Sequence, residues 1–547
     1  MRKLLFIIAA TLICGISPLR ATTPSADPTA RPRLVVGVVV DQMRWDYLRR
    51  YYPLFGEGGF RRLMGEGFSC DNTQLNYIPT VTAIGHSSIY TGSVPSIHGI
   101  AGNNFYKNGK QTYCTDDDSV ETVGAKGNAG KMSPRNLLVT TIGDELRLAT
   151  NFRSRVIGIS LKDRASILPA GHAANGAYWF DDGSGRFITS TYYAKSLPEW
   201  LTSFNAEDNA RKYLRQPWAT LLSSDKYTQS TKDDTPYEKP QIKGSAPTLP
   251  LDLPALFKQK GYAAIRTTPF GNTLTLEAAK AAVNGEKLGQ GTETDMLCVS
   301  LSSTDYVGHQ YGVNAVETED TYLRLDRDLA SFFTFLDNAV GKGNYLLFLT
   351  ADHAGAHNPT FLEDNKIPAG HVSDSQIADS LNARLMKRLN TSEKLVKDVL
   401  NYQVFLDFKA IKRAKLKKSD VERAAVKVLS RDKRFAYVIP MDQIATASMP
   451  EPIRSRAING YNRFRSGQIQ IIMQPGWMEG SARGTNHGVW NPYDAHIPLL
   501  FMGWGIKAGH TYSPTSMTDI APTVCALLNI QMPNGCIGNA IPQVIGE

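Results

Sequence analysis

Thr82 stands in the segment Pro-Thr-Val-Thr-Ala-Ile-Gly-His (residues 79–86), a turn leading into a helix-like run. Asn103 closes the coil His-Gly-Ile-Ala-Gly-Asn (98–103) that follows it. A hydroxyl is a weak nucleophile until a base or a metal ion takes up its charge, and no base neighbours Thr82 in the sequence. Asp and His residues further along the chain have metal-ligand spacings. The pattern points to a two-metal hydrolase that works through a covalent threonine, with Asn103 as the amide that holds a phosphate oxygen.

Four motifs offer the ligands. Asp41 ends the apolar run Leu34–Val40; taken alone, it reads as a helix N-cap. Asp305 and His309 form Asp-x-x-x-His, and on a helix that spacing puts both side chains on one face. Alone, it fits a surface pair equally well. Asp352 and His353 follow the run Tyr345–Leu349, and His487 lies between glycines in Arg-Gly-Thr-Asn-His-Gly. Asp352-His353 also reads as the polar end of a buried strand, and His487 as a loop histidine. Together they supply three Asp and three His, the number that two zinc ions need while each keeps an open position. Of the remaining histidines, His86 and His98 are expected to brace the nucleophile loop, and His357 or His496 to support the ligands.

Lys162 and Arg164 follow the apolar run Val156–Leu161. In an extended segment they share a face while Asp163 points away. A fork-shaped cation beside a point charge suits a phosphoryl group with two free charges. The alternative is a solvated triplet.

These residues need a scaffold, and the apolar runs Leu34–Val40, Met296–Leu301, Tyr345–Leu349 and Ile497–Met502 supply it. Such runs, low in alternation, suit central strands covered on both faces, and three of them run into acids. Helical patterns cover Leu137–Leu148, Thr321–Ala339 and Asp374–Leu389, the last with Ser373 and Gln376 at capping-box spacing. The expected fold is α/β: a doubly wound, mostly parallel central sheet with helices on both faces. One catalytic domain is expected over residues 33–547. Insertions at about 183–250 and 393–480 would form a cap, the second with a basic helix over Asp407–Leu429 and strands around Phe435–Ile439 and Gln468–Met473.

The first 21 residues read as a secretory signal peptide: Arg2 and Lys3 precede an apolar stretch, Leu4–Ile16, too short for a stable membrane anchor. A periplasmic or secreted location follows. The net charge is +9, of which Arg2, Lys3 and Arg20 carry three, leaving +6 after removal of that segment. This mild excess favours anionic substrates, but the basic residues lack the interleaved aromatics of a nucleic-acid groove. Five cysteines remain after Cys14, and an oxidising compartment would permit Cys525–Cys536 or Cys70–Cys114 pairs. Oligomeric state is open from sequence, with a monomer as the expectation.

As an ordered set, Thr82, Asn103, Lys162 with Arg164, Asp352-His353 and the Gly-Thr-Asn-His-Gly loop resemble the alkaline phosphatase superfamily, and within it the PafA-type phosphate-irrepressible alkaline phosphatases. The resemblance runs from about Leu34 to the end, including Thr518-Asp519-Ile520-Ala521-Pro522-Thr523. It implies that Asp41, Asp352 and His353 hold the zinc at the Thr82 oxygen. Asp305, His309 and His487 would hold the zinc at the leaving oxygen. Asn103, Lys162 and Arg164 would contact the non-bridging phosphate oxygens. Two such ions can stabilise both oxygens of an in-line displacement. The implied activity is zinc-dependent hydrolysis of phosphate monoesters of broad leaving-group type. Sulfatases of the superfamily need a Cys or Ser precursor where Thr82 stands. The nucleotide pyrophosphatase/phosphodiesterase branch shares threonine and ligands but lacks a Lys-x-Arg pair, and the phosphoethanolamine transferases carry membrane helices. Phosphodiesterase activity, or phosphate or metal binding without catalysis, is the alternative. Thr80 is the one competing hydroxyl near the nucleophile.

Overall fold

A computed structural model describes residues 30–546; the signal-peptide segment and Cys14 lie outside them. Strand Leu34–Val40 forms where six aliphatic side chains flank Gly37, and all six are fully buried. Burying each contributes roughly 1.5–3 kcal/mol. Gly37 admits its neighbours closely: a Cβ there would meet the Tyr90 hydroxyl at 2.3 Å and the Phe348 ring at 2.5 Å.

This strand is central in a ten-stranded sheet. Its neighbours are Asp295–Leu301 and Tyr345–Thr350, both parallel and in register, Val40 opposite Leu301 and Val39 opposite Thr350. Val156–Ser160 and Gly176–Asp181 extend the parallel block. The five strands run the same way, so their carboxyl ends share one edge. Antiparallel strands close the block, Leu499–Gly503 on one side and Arg186–Ser190 on the other. Helices cover both faces in the doubly wound manner.

Helix Asp374–Leu389 has the expected bounds, with Ser373 Oγ accepting from the Gln376 amide. Other boundaries shift. The Leu137–Leu148 pattern becomes helix Ile142–Ala149, started by a capping box on Thr141 and Asp144. The Thr321–Ala339 pattern begins earlier, as Val316–Leu336. The expected helix Asp407–Leu429 is two, Phe408–Arg413 and Lys418–Leu429, because Lys415 takes φ 56° between them.

A second, four-stranded sheet unites Val396–Leu400, Gln403–Leu406, Ile469–Met473 and Phe435–Pro440 over its own apolar cluster. The sequence-allowed cysteine pairs do not form: Cys70, Cys114, Cys298, Cys525 and Cys536 are free thiols.

Candidate active site

Four adjacent parallel strands deliver the polar groups to one edge. Asp41 follows Leu34–Val40 directly, and Asp352-His353 follows Tyr345–Thr350 after one residue. Asp305 and His309 ride on helix Ser303–Tyr311, which leaves strand Asp295–Leu301. Lys162 ends the Val156–Ser160 arm.

Thr82 is the first residue of helix Thr82–Thr91 and is 1% exposed. The positive end of the helix dipole favours negative charge there. Thr82 Oγ1 lies 3.5 Å from His353 Nε2 and 3.5 Å from Lys162 Nζ. Thr80 has other bonds: its hydroxyl meets Val489 O at 3.0 Å and Asp494 Oδ2 at 2.8 Å. Asn103 Oδ1 accepts from the Ala83 amide at 2.9 Å, which turns the side-chain NH2 away from the helix.

The residues form two overlapping metal-ligand groups: Asp41, Asp352 and His353 in one, Asp305, His353 and His487 in the other. His309 joins Asp305 directly, its Nε2 3.1 Å from Asp305 Oδ1. Each histidine has its Nδ1 against a backbone carbonyl: His353 on Ala354 at 2.9 Å, His487 on Thr80 at 2.7 Å and His309 on Thr485 at 2.9 Å. A carbonyl only accepts, so Nδ1 carries the proton and Nε2 keeps its lone pair. Burial, with His353 and His309 close by, holds the His487 pKa well below its ordinary value, so the ring is neutral.

The acids fit metal ions equally well. Asp41 Oδ1 is buried with no hydrogen-bond partner, and the buried Asp352 Oδ2 lies 3.3 Å from His86 Nδ1, a nitrogen that also meets Thr82 O. Orphaned carboxylate oxygens are costly unless a cation meets them.

Lys162 Nζ bridges Asp41 Oδ2 at 2.6 Å and Asp305 Oδ2 at 2.7 Å. Burial pulls its pKa down, but Asp305 and then Asp41 outweigh burial and hold it above the ordinary lysine value. The extended reading of 162–164 is corrected. Lys162 is extended, but Asp163 begins helix Asp163–Ala170, so Arg164 is helical. Lys162 Nζ lies 4.9 Å from the centre of the Tyr306 ring, and Tyr306 also adds to the charge environment of Arg164. Arg164 Nη1 donates to the Tyr113 hydroxyl at 2.9 Å, and that hydroxyl donates to Asp163 at 2.8 Å.

Of the other histidines, His86 does brace the nucleophile helix: one nitrogen meets Thr82 O at 2.9 Å, the other Ser300 Oγ at 2.8 Å. His98 bonds Ser88 and the Ile100 amide. Gln42 went unnoticed in the sequence. At φ 63° its amide donates to Asp352 at 3.2 Å and its side chain to Asp305 at 2.6 Å, tying the two ligand groups together. A glutamine beside an acid carries no motif signal, and neither does Tyr113.

Against known proteins, residues 35–494 match the family model described as type I phosphodiesterase / nucleotide pyrophosphatase. The chain belongs to this family. Within the type I phosphodiesterase family it is 53% identical over 522 residues to alkaline phosphatase PafA of Elizabethkingia meningoseptica, covering 94% of this chain and 95% of the relative. A relative from Myroides odoratus named a calcium-transporting ATPase is 52% identical over 529 residues, 96% of each chain. The crystal structure of wild-type alkaline phosphatase PafA superposes with a TM-score of 0.93 at 52% identity, covering 95% of this chain and all of the other. The expected alkaline phosphatase fold and PafA likeness are thus both met. Among the described residues no helix is long and apolar enough to cross a membrane.

Proposed function

We propose that this protein is an exported zinc-dependent alkaline phosphatase that hydrolyses phosphate monoesters through a phosphothreonine at Thr82. The observation that carries the reading is the placement of the buried Lys162, its Nζ 3.5 Å from the Thr82 hydroxyl, with Arg164 two residues further along the chain. A monoester bears one more negative charge than a diester, and two cations at the nucleophile answer that charge.

Asp41, Asp352 and His353 would hold one ion, and Asp305, His309 and His487 the other. A mixed set of imidazole and carboxylate donors suits zinc. When bound, the two ions supply positive charge that activates hydroxyl and water and neutralises the leaving oxygen.

The chain's own groups do the rest. Thr82 Oγ attacks phosphorus as the bond to the leaving alkoxide or phenoxide breaks. Water then attacks the same phosphorus, the bond to Thr82 Oγ breaks and inorganic phosphate leaves. Asn103 and Arg164 bind non-bridging oxygens: Asn103 is aimed by the Ala83 amide and Arg164 by Tyr113. Lys162 places a third positive or polar contact beside them. Positioning and charge neutralisation are most of what phosphoryl transfer asks of a protein.

The 393–480 segment is proposed to shape the entrance. The Asn401 side chain donates to Asn104 O at 2.9 Å, next to Asn103, and the Tyr402 hydroxyl reaches His487 O at 3.4 Å. Export is supported by the signal-peptide pattern of the first 21 residues.

The deciding experiment compares kcat/KM for an aryl phosphate monoester and its matched diester on zinc-loaded protein. Strong monoester preference is expected. Diester preference would move the activity to the other reaction named in the family's description.

A further inference from the structure

Asp494 lies in the short helix Pro492–Ala495, is 0% exposed and belongs to no motif read from the sequence. Its Oδ2 gathers three donors: the Gly488 amide at 2.7 Å, the Val489 amide at 2.7 Å and the Thr80 hydroxyl at 2.8 Å. Oδ1 has no partner. The Thr80 hydroxyl, itself buried, also accepts from the Gly488 amide at 3.0 Å. These bonds close a knot between residue 80, two positions before the nucleophile, and residues 488 and 489, which directly follow His487.

The knot bears on both stacked histidines. Thr80 O accepts from His487 Nδ1 at 2.7 Å, so the carbonyl that aims this ring belongs to a residue held by the Asp494 side chain. The main chain of Asp494 serves the other ring. Asp494 O accepts from the Ala354 amide at 2.9 Å, and Ala354 O accepts from His353 Nδ1 at 2.9 Å. Each path has one residue between Asp494 and the imidazole. A ring whose Nδ1 is fixed has its Nε2 direction fixed with it, and groups that do this act on metal affinity without touching the metal.

We propose that Asp494 is a positioning residue for the His487 metal site and acts through Thr80; this rests on the reading that His353 and His487 are ligands of two ions. The bonds on Oδ2 hold the 487–489 turn against the segment that leads into Thr82. They aim His487 toward Asp305 and His309 and tie that ligand set to the nucleophile. The arm to Ala354 runs through the backbone and does not need the side chain. Side-chain substitutions should therefore loosen the Asp305, His309 and His487 site and spare the Asp41, Asp352 and His353 site. A general loss of stability would not produce that asymmetry.

The test is zinc affinity of the full, metal-free protein, read by competition with a chromophoric chelator, with Tm measured alongside. Wild-type protein is expected to take up zinc in two steps. Thr80→Val keeps the shape of the side chain and removes its hydroxyl. It should weaken one step by about 10–100-fold, the usual cost of losing a ligand's support, and leave the other unchanged. Thr80→Ser, which keeps the hydroxyl, should bind as wild type does. Asp494→Ala should weaken the same step at least as much as Thr80→Val; if it fails to fold, the Thr80 pair decides alone. The proposal is overturned if Thr80→Val or folded Asp494→Ala binds both ions as wild type does. It is also overturned if both steps weaken alike with a fall in Tm, or if Thr80→Ser loses as much as Thr80→Val. Wild-type protein that binds no zinc would overturn the ligand reading and this proposal with it, so the wild-type titration tells the two failures apart.

Discussion

The His353 and His487 rings stack face to face, their centroids 3.6 Å apart and their planes 14° from parallel. One histidine follows a central strand and the other comes from a glycine-bounded loop far along the chain. Each is oriented by a carbonyl on its Nδ1, so both Nε2 atoms serve the same small volume. The stack makes the two ligand groups one unit.

Removing the nucleophile should separate chemistry from architecture. Thr82→Ala is expected to lower kcat by about 10⁴–10⁶-fold, with the circular dichroism spectrum and metal content close to wild type. Retained turnover with Thr82→Ala would place the covalent step elsewhere.

Arg164→Ala should lower kcat/KM for monoesters by about 10–100-fold, the worth of a charge-assisted contact, and leave diester turnover nearly unchanged. Tyr113→Phe, which deletes the hydroxyl that holds Arg164, should give a smaller loss with the same bias. Paired substrates on each variant provide the measurement; equal loss on both substrates rejects the charge-matching role.

Metal removal should abolish activity without unfolding the central sheet. Dialysis against a strong chelator is expected to give inactive protein that regains turnover with zinc. His487→Ala should cut metal content and resist rescue at stoichiometric zinc. Elemental analysis beside the assay reads both.

Gly85 is where the nucleophile helix touches a ligand. A Cβ there would lie 2.3 Å from Asp352 O and 2.6 Å from Asp352 Cβ. Gly85→Ala therefore has to move the Asp352 backbone. We expect weaker metal binding by about 10–100-fold, comparable to loss of a ligand's support, read from activity against free zinc.

Stability should carry a pH signature at Asp374. Burial, then Glu479 and Asp398, push its pKa from the ordinary 3.8 up to about 7. The folded state thus holds the proton more tightly than the unfolded chain. Its contribution to stability is full below about pH 4 and is lost as pH rises through 7. Asp374→Asn should flatten the fall of Tm across that window and raise Tm at pH 8. A wild-type slope in the variant would assign the dependence to another group.

Much of this was legible in the chain. Strands such as Leu34–Val40 announce themselves because burial on both faces demands unbroken aliphatic runs, and an acid directly after such a run marks the ligand edge. Thr82 was legible for the same local reason. What escaped was support from a distance. Gln42 acts through a left-handed backbone and contacts with Asp352 and Asp305, hundreds of residues away in sequence. The Leu499–Gly503 run reads like its parallel neighbours, yet it pairs antiparallel with Tyr345–Thr350, because full burial erases the alternation that separates the two directions. The Lys162–Arg164 pair was found by residue type, while its backbone, half extended and half helical, depended on a helix start the triplet does not advertise.

Asp352, Asp41 and Asp305 leave three neighbouring parallel strands held in register. Such strands repeat at about 4.8 Å, a spacing set by backbone hydrogen bonds and indifferent to side chains. The sheet therefore acts as a gauge block for the chemistry: the gap between the ligand sets belongs to the main chain. Loops and inserted segments can be rewritten to admit new leaving groups while that gap stays fixed, so substrate range and catalytic step can diverge independently on this scaffold.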